Sequence, residues 1–304
     1  MTIKKPISIH WFRQDLRLSD NPALSAAIES GDTLPIYILD DINSSDNKMG
    51  EASRWWLHHS LSSLNKKLDG KISFYNGDPR NVFSTLSEQY DVKSIYWNRC
   101  YEPWRVKRDK DLKKDLEGKN IHIETHNGSL LWEPWTVLKN DGTPYRVFSP
   151  YYKRGCLEAL APREPIKEPD LENIISNSFN NLDLSDLKLL PDVKWFNEME
   201  KLWSPGEDGA KDKLHHFLDN GLLGYKEGRN FPSRKNVSQL SPHMHFGEVS
   251  PNQVWYGAQL KEGEKGIDKD LKHFLSELGW REFSYNLLYH FPSLPKENLQ
   301  KKFD

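Results

Sequence analysis

Three residues near the end of the chain combine a carboxylate, an indole and a guanidinium at helical spacing. Glu277, Trp280 and Arg281 stand at i, i+3 and i+4 of a helical pattern, which predicts that they share one face. A carboxylate can hydrogen-bond a base edge, an indole can stack on a base, and a guanidinium can bind phosphate. The alternative is a surface Glu–Arg pair beside a half-buried tryptophan, which is common on helices.

A second region that could bind phosphate is the basic segment 225–235. It carries four basic residues against one acid, interleaved with Tyr225 and Phe231 and interrupted by glycine and proline. This composition is typical of a loop that follows a phosphate backbone or the pyrophosphate of a dinucleotide. A solvated basic loop without a ligand is the alternative.

The segment 237–248 adds hydroxyl groups beside a predicted helix start. Ser241-Pro242 is typical of an N-cap followed by proline at the first helical position. Hydroxyls and the free N–H groups of a helix start together favour an anion such as phosphate, although many such caps bind nothing. His243 and His245 are two residues apart and point away from each other on a helix. This spacing indicates two structural histidines, and we expect no metal site.

The elements that must position these residues follow two patterns. Over residues 1–130, short apolar strands alternate with longer helical segments, which predicts an α/β domain with a doubly wound parallel sheet. Residues 131–204 hold many proline, asparagine and aspartate residues without periodicity, and this predicts a linker over the surface. The strands are predicted at 7–12, 34–39, 72–75, 94–97 and 121–124, and the helices between them at 21–30, 51–68, 79–90 and 104–116.

From residue 205 to 304 the pattern is helical, which predicts the first part of an all-helical domain. Ser250-Pro251 is a second predicted cap. The helix over 268–289 has more apolar residues than one buried side can hold, so we expect an exposed apolar patch. The three helices are predicted at 209–220, 251–260 and 268–289.

Bulk composition excludes several classes of protein. The formal net charge of −2 neither supports nor excludes DNA binding, because a local basic patch is compatible with a neutral total. No apolar run is long enough to span a membrane. There is no GxGxxG or GxxxxGK[ST] motif, which disfavours a nicotinamide cofactor or a P-loop. Cys100 and Cys156 form no ligand cluster, and we expect a reducing, cytoplasmic location.

Several ordered segments resemble the photolyase/cryptochrome family, and they extend over nearly the whole chain. The resemblance is strongest to bacterial class I-type cyclobutane pyrimidine dimer DNA photolyases. It implies light-driven repair of these dimers by electron transfer from reduced FAD, that is, a deoxyribodipyrimidine photo-lyase. UV-damaged DNA would be the partner, and the full-length protein would be a monomer. The matching segments are 10–22 (HWFRQDLRLSDNP), 97–109 (WNRCYEPWRVKRD), 225–232, 237–247 and 274–283.

The resemblance also implies roles for individual residues. Those that match the family's FAD contacts are Tyr225, Val237, Ser238, Gln239, Leu240, Ser241 and Phe274. The family pattern at 237–241 is Thr-Ser-Arg-Leu-Ser, so this chain lacks one hydroxyl and one cation there. As catalytic residues, Glu277 would hydrogen-bond the base edges of the dimer and Trp280 would pack on the flipped-out dimer. The residues that match the DNA-facing set are Arg229, Glu277, Trp280 and Arg281.

Two features depart from the family pattern. The chain ends at Asp304, where the family's helical domain continues, so we expect a fragment or a truncated product that is inactive alone. Glu102-Pro103-Trp104 stands where folate-binding members often carry an Asn-Glu pair. The antenna chromophore therefore stays open between methenyltetrahydrofolate and a deazaflavin.

Two other functions compete with repair. A cryptochrome would share the fold and the flavin but act as a blue-light receptor without repair activity. Plant cryptochromes tend to lose the acid and the indole that stand here as Glu277 and Trp280, so their presence favours repair. The other alternative is a non-enzymatic nucleotide-binding α/β module, which would show no flavin bands in its absorption spectrum.

Overall fold

The computed structural model describes residues 4–179 and 182–303, and within these ranges five parallel strands form one sheet. The strand order is β3-β2-β1-β4-β5, with every neighbouring pair parallel. This topology confirms the predicted α/β architecture. The strands are β1 (Pro6–Phe12), β2 (Thr33–Leu39), β3 (Ser73–Asn76), β4 (Asp91–Asn98) and β5 (His122–His126).

Helices cover both faces of the sheet. They are α1 (Pro22–Glu29), α2 (Glu51–Lys67), α3 (Pro79–Gln89) and α4 (Pro103–Glu117). Leu24 of α1 and Leu61 of α2 pack with Phe12 on one side. Phe83 of α3 and Leu112 of α4 pack on the other. Because both faces are covered, β2 is buried along its whole length, as in other parallel sheets.

The predicted linker is more structured than its composition indicates. Ile174 forms a bridge with Thr33, and Leu187 is buried beside α2. The segment thus adds to the core as well as lying over the surface. Its helices are α5 (Phe148–Pro150), a π-helical turn (Tyr151–Cys156), a 3-10 turn (Leu184–Leu187) and α6 (Asn197–Leu202).

The helical part begins after residue 206. Its helices are α7 (Glu207–Asn220), α8 (Tyr225–Gly228), α9 (Ser241–Phe246), α10 (Pro251–Gln259) and α11 (Asp268–His290). Two further 3-10 turns lie at Ser45–Asn47 and Lys301–Phe303. The cap at Ser250 is confirmed, since its hydroxyl accepts from the Gln253 N–H at 2.9 Å. The cap at Ser241 is wrong: Leu240 is the N-cap residue, and Ser241 is the first residue of the helix.

The exposed apolar patch predicted on the last helix is also wrong. Tyr151 and Tyr152 of the π-helical turn cover α11, because Gly279 leaves room for a ring. A Cβ at position 279 would stand 2.4 Å from the Tyr152 ring. Helix α8 and the preceding α7 contribute as well, since Phe274 packs against Phe217 and Tyr225. The apolar side chains of α11 that are buried are Leu271, Phe274, Leu275, Leu278 and Phe283, and those that are half-buried are Leu287 and Leu288.

The charged loop after β1 joins the α/β part to the helical part. The buried Arg17 guanidinium donates to the carbonyls of Gly128 and Gly247 at 2.7 and 2.9 Å. Gly247 ends α9 with φ +69°, and a Cβ there would stand 2.0 Å from the Gln14 carbonyl oxygen. Only glycine permits this approach without rearrangement. These contacts assign the loop a structural task at the junction.

Candidate functional site

A charged cluster forms where the end of α8 meets α11. Arg229 makes an ion pair with the Glu277 carboxylate, and the two side chains are 31 % and 28 % exposed. The His273 Nε2 atom lies 3.3 Å from Arg229 Nη1 and 3.7 Å from Glu277 Oε1. The hydrogen bond to Glu277 raises the pKa of Arg229. Arg229 is therefore a fixed cation, and Glu277 is a carboxylate held in one orientation at the surface.

The indole of Trp280 lies one helical turn beyond Glu277 and is 46 % exposed. It stacks on Phe148, with ring centroids 3.7 Å apart and planes 11° apart. Phe148 stacks in turn on Tyr152, with centroids 5.6 Å apart. The indole is thus supported by protein on one side while much of it stays open to solvent. A planar group could stack on the open part.

Arg281 is separated from the other two residues of the predicted trio. Its guanidinium donates to Glu282 at 2.9 Å and lies 4.8 Å from the Tyr285 ring centre. Glu277, Trp280 and Arg281 do stand on one continuous helix, as their spacing predicts. The alternative Glu277–Arg281 pair is not formed, since Glu277 pairs with Arg229 instead. Burial raises the pKa of Glu282 to about 7, although the Arg281 charge opposes this shift. This buried acid draws Arg281 towards the interior.

Two residues that match flavin contacts lie in the core beneath the charged cluster. Tyr225 and Phe274 are buried, and their rings meet edge to face at 5.4 Å. The Arg229 guanidinium lies 5.5 Å from the Tyr225 ring centre. Burial raises the pKa of Tyr225, so its phenol is neutral at physiological pH. The pair supports the surface groups from below.

The segment 237–241 lies largely outside this core, apart from Leu240. Within residues 4–179 and 182–303, the hydroxyl groups of Ser238 and Ser241 form no hydrogen bond. Gln239 has φ +54° and accepts from Lys213 Nζ at 3.1 Å. α9 spans only six residues, so the expected helix-start anion site has little dipole behind it. The free hydroxyls and the lysine are what a phosphate could contact here.

Asn236 connects this segment to α8. Its side-chain amide donates to the carbonyls of Gly221 and Leu223 at 2.9 and 3.0 Å. A Cβ at Gly228 would stand 2.2 Å from the Asn236 Oδ1 atom, so the Asn236 side chain packs directly against the backbone of α8. The structure therefore brings the segments around Tyr225 and Ser238 together, as a shared ligand would require.

Comparisons with known proteins identify the family. The family model described as DNA photolyase matches residues 8–170. The chain belongs to the DNA photolyase family. It is 39 % identical to the deoxyribodipyrimidine photo-lyase of Agrobacterium fabrum, over 100 % of this chain and 64 % of the relative. It is 30 % identical to Cryptochrome-1 of Arabidopsis thaliana, over 94 % of this chain and 43 % of the relative.

A solved structure gives the same result. The crystal structure of a bacterial class III photolyase from Agrobacterium tumefaciens matches with a TM-score of 0.90 and 37 % identity, over 100 % of this chain and 63 % of that one. The class I type stays a prediction, since this relative is described as class III. The chain spans 64 % of the photo-lyase relative's length. Activity, substrate and partner are therefore proposals for the whole protein.

The segment 102–104, which was compared above with the family's antenna motif, borders a crevice at the carboxyl ends of β1 and β2. Its free volume is about 50 Å³. Arg108 pairs with Asp40 at 2.9 Å and lies 5.2 Å from the Trp104 ring centre, so these side chains fill the space. Ligand pockets usually measure about 300–1,000 Å³. In this conformation the crevice does not fit methenyltetrahydrofolate or a deazaflavin.

Three residues of the candidate site, His273, Phe148 and Asn236, were not among the site residues predicted from the sequence. His273 stands at i−4 of Glu277, and that spacing could have identified it. Phe148 and Asn236 carry no such signal, because each meets its partner across a long stretch of chain.

Within the described parts of the chain, no group of three or more His, Cys, Asp or Glu residues could hold a metal ion. No helix there is long and apolar enough to cross a membrane.

Proposed function

We propose that the whole protein repairs cyclobutane pyrimidine dimers in DNA with light, using reduced FAD. The supporting observation is the outer face of α11, where the oriented carboxylate of Glu277 lies one turn from the half-exposed Trp280. A dimer must leave the base stack to be repaired, and it then needs a flat apolar support and a hydrogen-bond acceptor. This face supplies both.

Each residue of the face has a distinct task in the proposal. The open part of Trp280 stacks on the extruded dimer, while Phe148 supports the indole from behind. Glu277 accepts hydrogen bonds from the N–H edges of the bases. Arg229 orients Glu277 and adds positive charge for the neighbouring phosphates. Arg281 has a weaker case as a DNA contact, because its guanidinium is already held by a hydrogen bond to the buried Glu282.

We place the pyrophosphate side of FAD at the segment 237–241. The supporting observations are the free hydroxyls of Ser238 and Ser241 and the nearby Lys213, which together suit a diphosphate. The buried Tyr225 and Phe274 would shape this site from below rather than bind in it. When bound, FAD supplies the electron that splits the cyclobutane ring.

We also propose the limits 1–130, 131–204 and 205–304 for the three parts of the chain.

A blue-light receptor without repair activity is the second candidate, because the chain is 30 % identical to Cryptochrome-1. It would share the fold and the FAD site. The two functions differ in what Trp280 does. Repair requires that this indole bind a dimer, and signalling does not.

Binding of dimer-containing and undamaged oligonucleotides separates the two candidates. Trp280→Ala should weaken binding of dimer DNA by about ten- to a hundredfold, since a stacked aromatic contributes about 1–3 kcal/mol per base. Affinity for undamaged DNA should not change. Trp195→Ala is the matched control, because this tryptophan is similarly exposed but lies on the linker. If Trp280→Ala binds both DNAs like the wild type, the repair proposal fails and the receptor is favoured.

A further inference from the structure

The outer face of α11 continues past Trp280 to the end of the helix. Phe291 follows the last helical residue, and eleven residues after Trp280 it returns to within about 20° of the same direction. The Arg146 guanidinium lies 4.6 Å from the centre of the Phe291 ring. The face therefore has a cation at each end, with Arg229 near its start and Arg146 at its finish.

Arg146 lines a cleft of about 610 Å³ that is formed by the segment 139–158, which includes the π-helical turn. Lys139 and Arg154 line the same cleft, together with two acids, Asp141 and Glu158. Asp141 is already engaged by the Thr143 hydroxyl and N–H. No carboxylate within residues 4–179 and 182–303 forms an ion pair with Arg146 or Arg154. Two exposed guanidinium groups are thus left without a neutralising partner.

The cleft is held at a fixed position relative to Trp280. Phe148 lies in the chain between the two arginines and stacks directly on the indole at 3.7 Å. Phe291 follows Glu277 by fourteen residue steps, which correspond to about 21 Å along the helix. At 3.4 Å per nucleotide step of one strand, this distance spans about six steps. A nucleic-acid strand lying along the face would reach both cations.

We propose that Arg146 and Arg154 bind phosphates of the DNA strand on the side of Trp280 opposite Arg229. Planar guanidinium groups match the oxygens of a phosphate and prefer them to water. The segment around residues 139–158 then forms part of the DNA-binding surface. This inference rests on the proposed function, because it assumes that DNA lies along α11.

Salt dependence of binding tests the proposal. In Arg146→Gln and Arg154→Gln, affinity should fall equally for dimer-containing and undamaged duplexes. The slope of log K against log salt should become shallower by about 0.9 for each phosphate that the variant no longer binds. Lys119→Gln removes the same charge from an exposed position on the α/β part and should leave the slope unchanged. Unchanged slopes in both arginine variants would overturn the proposal.

Oligonucleotides in which single phosphates are made neutral can locate the phosphates that Arg146 contacts. Methylphosphonate substitutions introduced one at a time around the dimer should weaken wild-type binding at two separated groups of positions. Binding by Arg146→Gln should not respond to methylphosphonates at one group of positions, and binding by Arg229→Ala should not respond to those at the other group. The two groups should lie about six nucleotides apart. If Arg146→Gln is as sensitive as the wild type everywhere, Arg146 makes no phosphate contact.

The outcomes for the two proposals can be distinguished. A shallower slope in Arg146→Gln with no dimer-specific weakening in Trp280→Ala would support the phosphate contact and contradict repair. Dimer-specific weakening in Trp280→Ala with an unchanged slope in Arg146→Gln would support repair and contradict the phosphate contact.

Discussion

Arg229 holds the Glu277 carboxylate in an ion pair, and in the proposed function the same guanidinium also attracts phosphate. The spacing along the sequence offered Arg281 as an alternative partner for that carboxylate. Under the proposed function, a loss of Arg229 affects recognition of the lesion as well as general affinity for DNA.

Arg229→Ala should therefore weaken binding of undamaged DNA and also lower the preference for dimer DNA. We expect the ratio of the two dissociation constants to fall by about two- to tenfold, since a half-exposed ion pair contributes about 1 kcal/mol. Arg234→Ala is the control, because Arg234 lies in the same basic segment but pairs with Glu227. It should lower both affinities and leave their ratio alone. An unchanged ratio in Arg229→Ala would mean that Glu277 needs no orientation from Arg229.

Phe148 stacks on Trp280, and under the proposed function it acts through this indole rather than on the DNA itself. Phe148→Ala removes the supporting ring, and an aromatic pair contributes about 0.5–1.5 kcal/mol beyond its buried area. Affinity for dimer DNA should fall by about two- to tenfold, with no change for undamaged DNA. Phe148→Tyr keeps the ring and should restore wild-type binding in the same titration. Equal weakening for both DNAs would indicate general unfolding of this face instead of a missing support.

At the scale of elements, α11 and the π-helical turn form one packing unit, in which Gly279 determines how closely Tyr152 approaches. Glycine is ordinarily a poor helix former, and replacing it with alanine stabilises an open helix position by about 1 kcal/mol. At position 279 the added methyl would meet a ring held by its own neighbours. Steric conflict should outweigh the gain in helix propensity.

Gly279→Ala should lower the free energy of unfolding by about 1–3 kcal/mol, the usual result of overpacking. Gly257→Ala in α10 is the matched control, because a Cβ there would meet its nearest atom, Leu218 Cδ1, at an ordinary 3.4 Å. It should stabilise the protein by up to about 1 kcal/mol. Urea unfolding of the three proteins measures both effects. Stabilisation by both substitutions would show that Tyr152 can move aside.

At the scale of the whole molecule, Glu207 connects the first turn of α7 to the loop after β1. Its side chain is 2 % exposed and accepts from the N–H groups of Leu18 and Ser19 at 3.2 and 3.1 Å. Burial alone would raise the pKa of Glu207. The Ser19 hydroxyl and the charges of Lys211 and Lys67 outweigh burial and lower the pKa to about 2.

This depressed pKa makes the junction sensitive to acid. The folded-state pKa lies below the unfolded value of about 4.3, so the carboxylate's contribution is complete above that pH and is lost as the pH falls to about 2. Glu207→Gln should cost about 3 kcal/mol of unfolding free energy at pH 6, and the difference from wild type should shrink towards zero near pH 2. Denaturant unfolding between pH 2 and 7 measures this difference. The exposed Asp208→Asn is the control and should give a much smaller, flatter difference. A constant difference across the range would contradict the linkage.

The sequence by itself determined the features that depend on local order. Alternating apolar strands and helices predicted the doubly wound sheet, and Ser250-Pro251 predicted a helix start, because period and capping involve residues within one turn of each other. The ordered motifs likewise indicated the family, which the match over residues 8–170 confirmed.

Only the tertiary structure decided which partner each side chain takes. Arg281 had acids at i−4 and i+1, and the choice of Glu282 depended on burial against a distant loop. Phe148 and Tyr152 came from a segment without periodicity, yet they cover α11 and support Trp280. Such contacts join residues far apart in the chain, and their free energy depends on which competing groups the fold brings within reach.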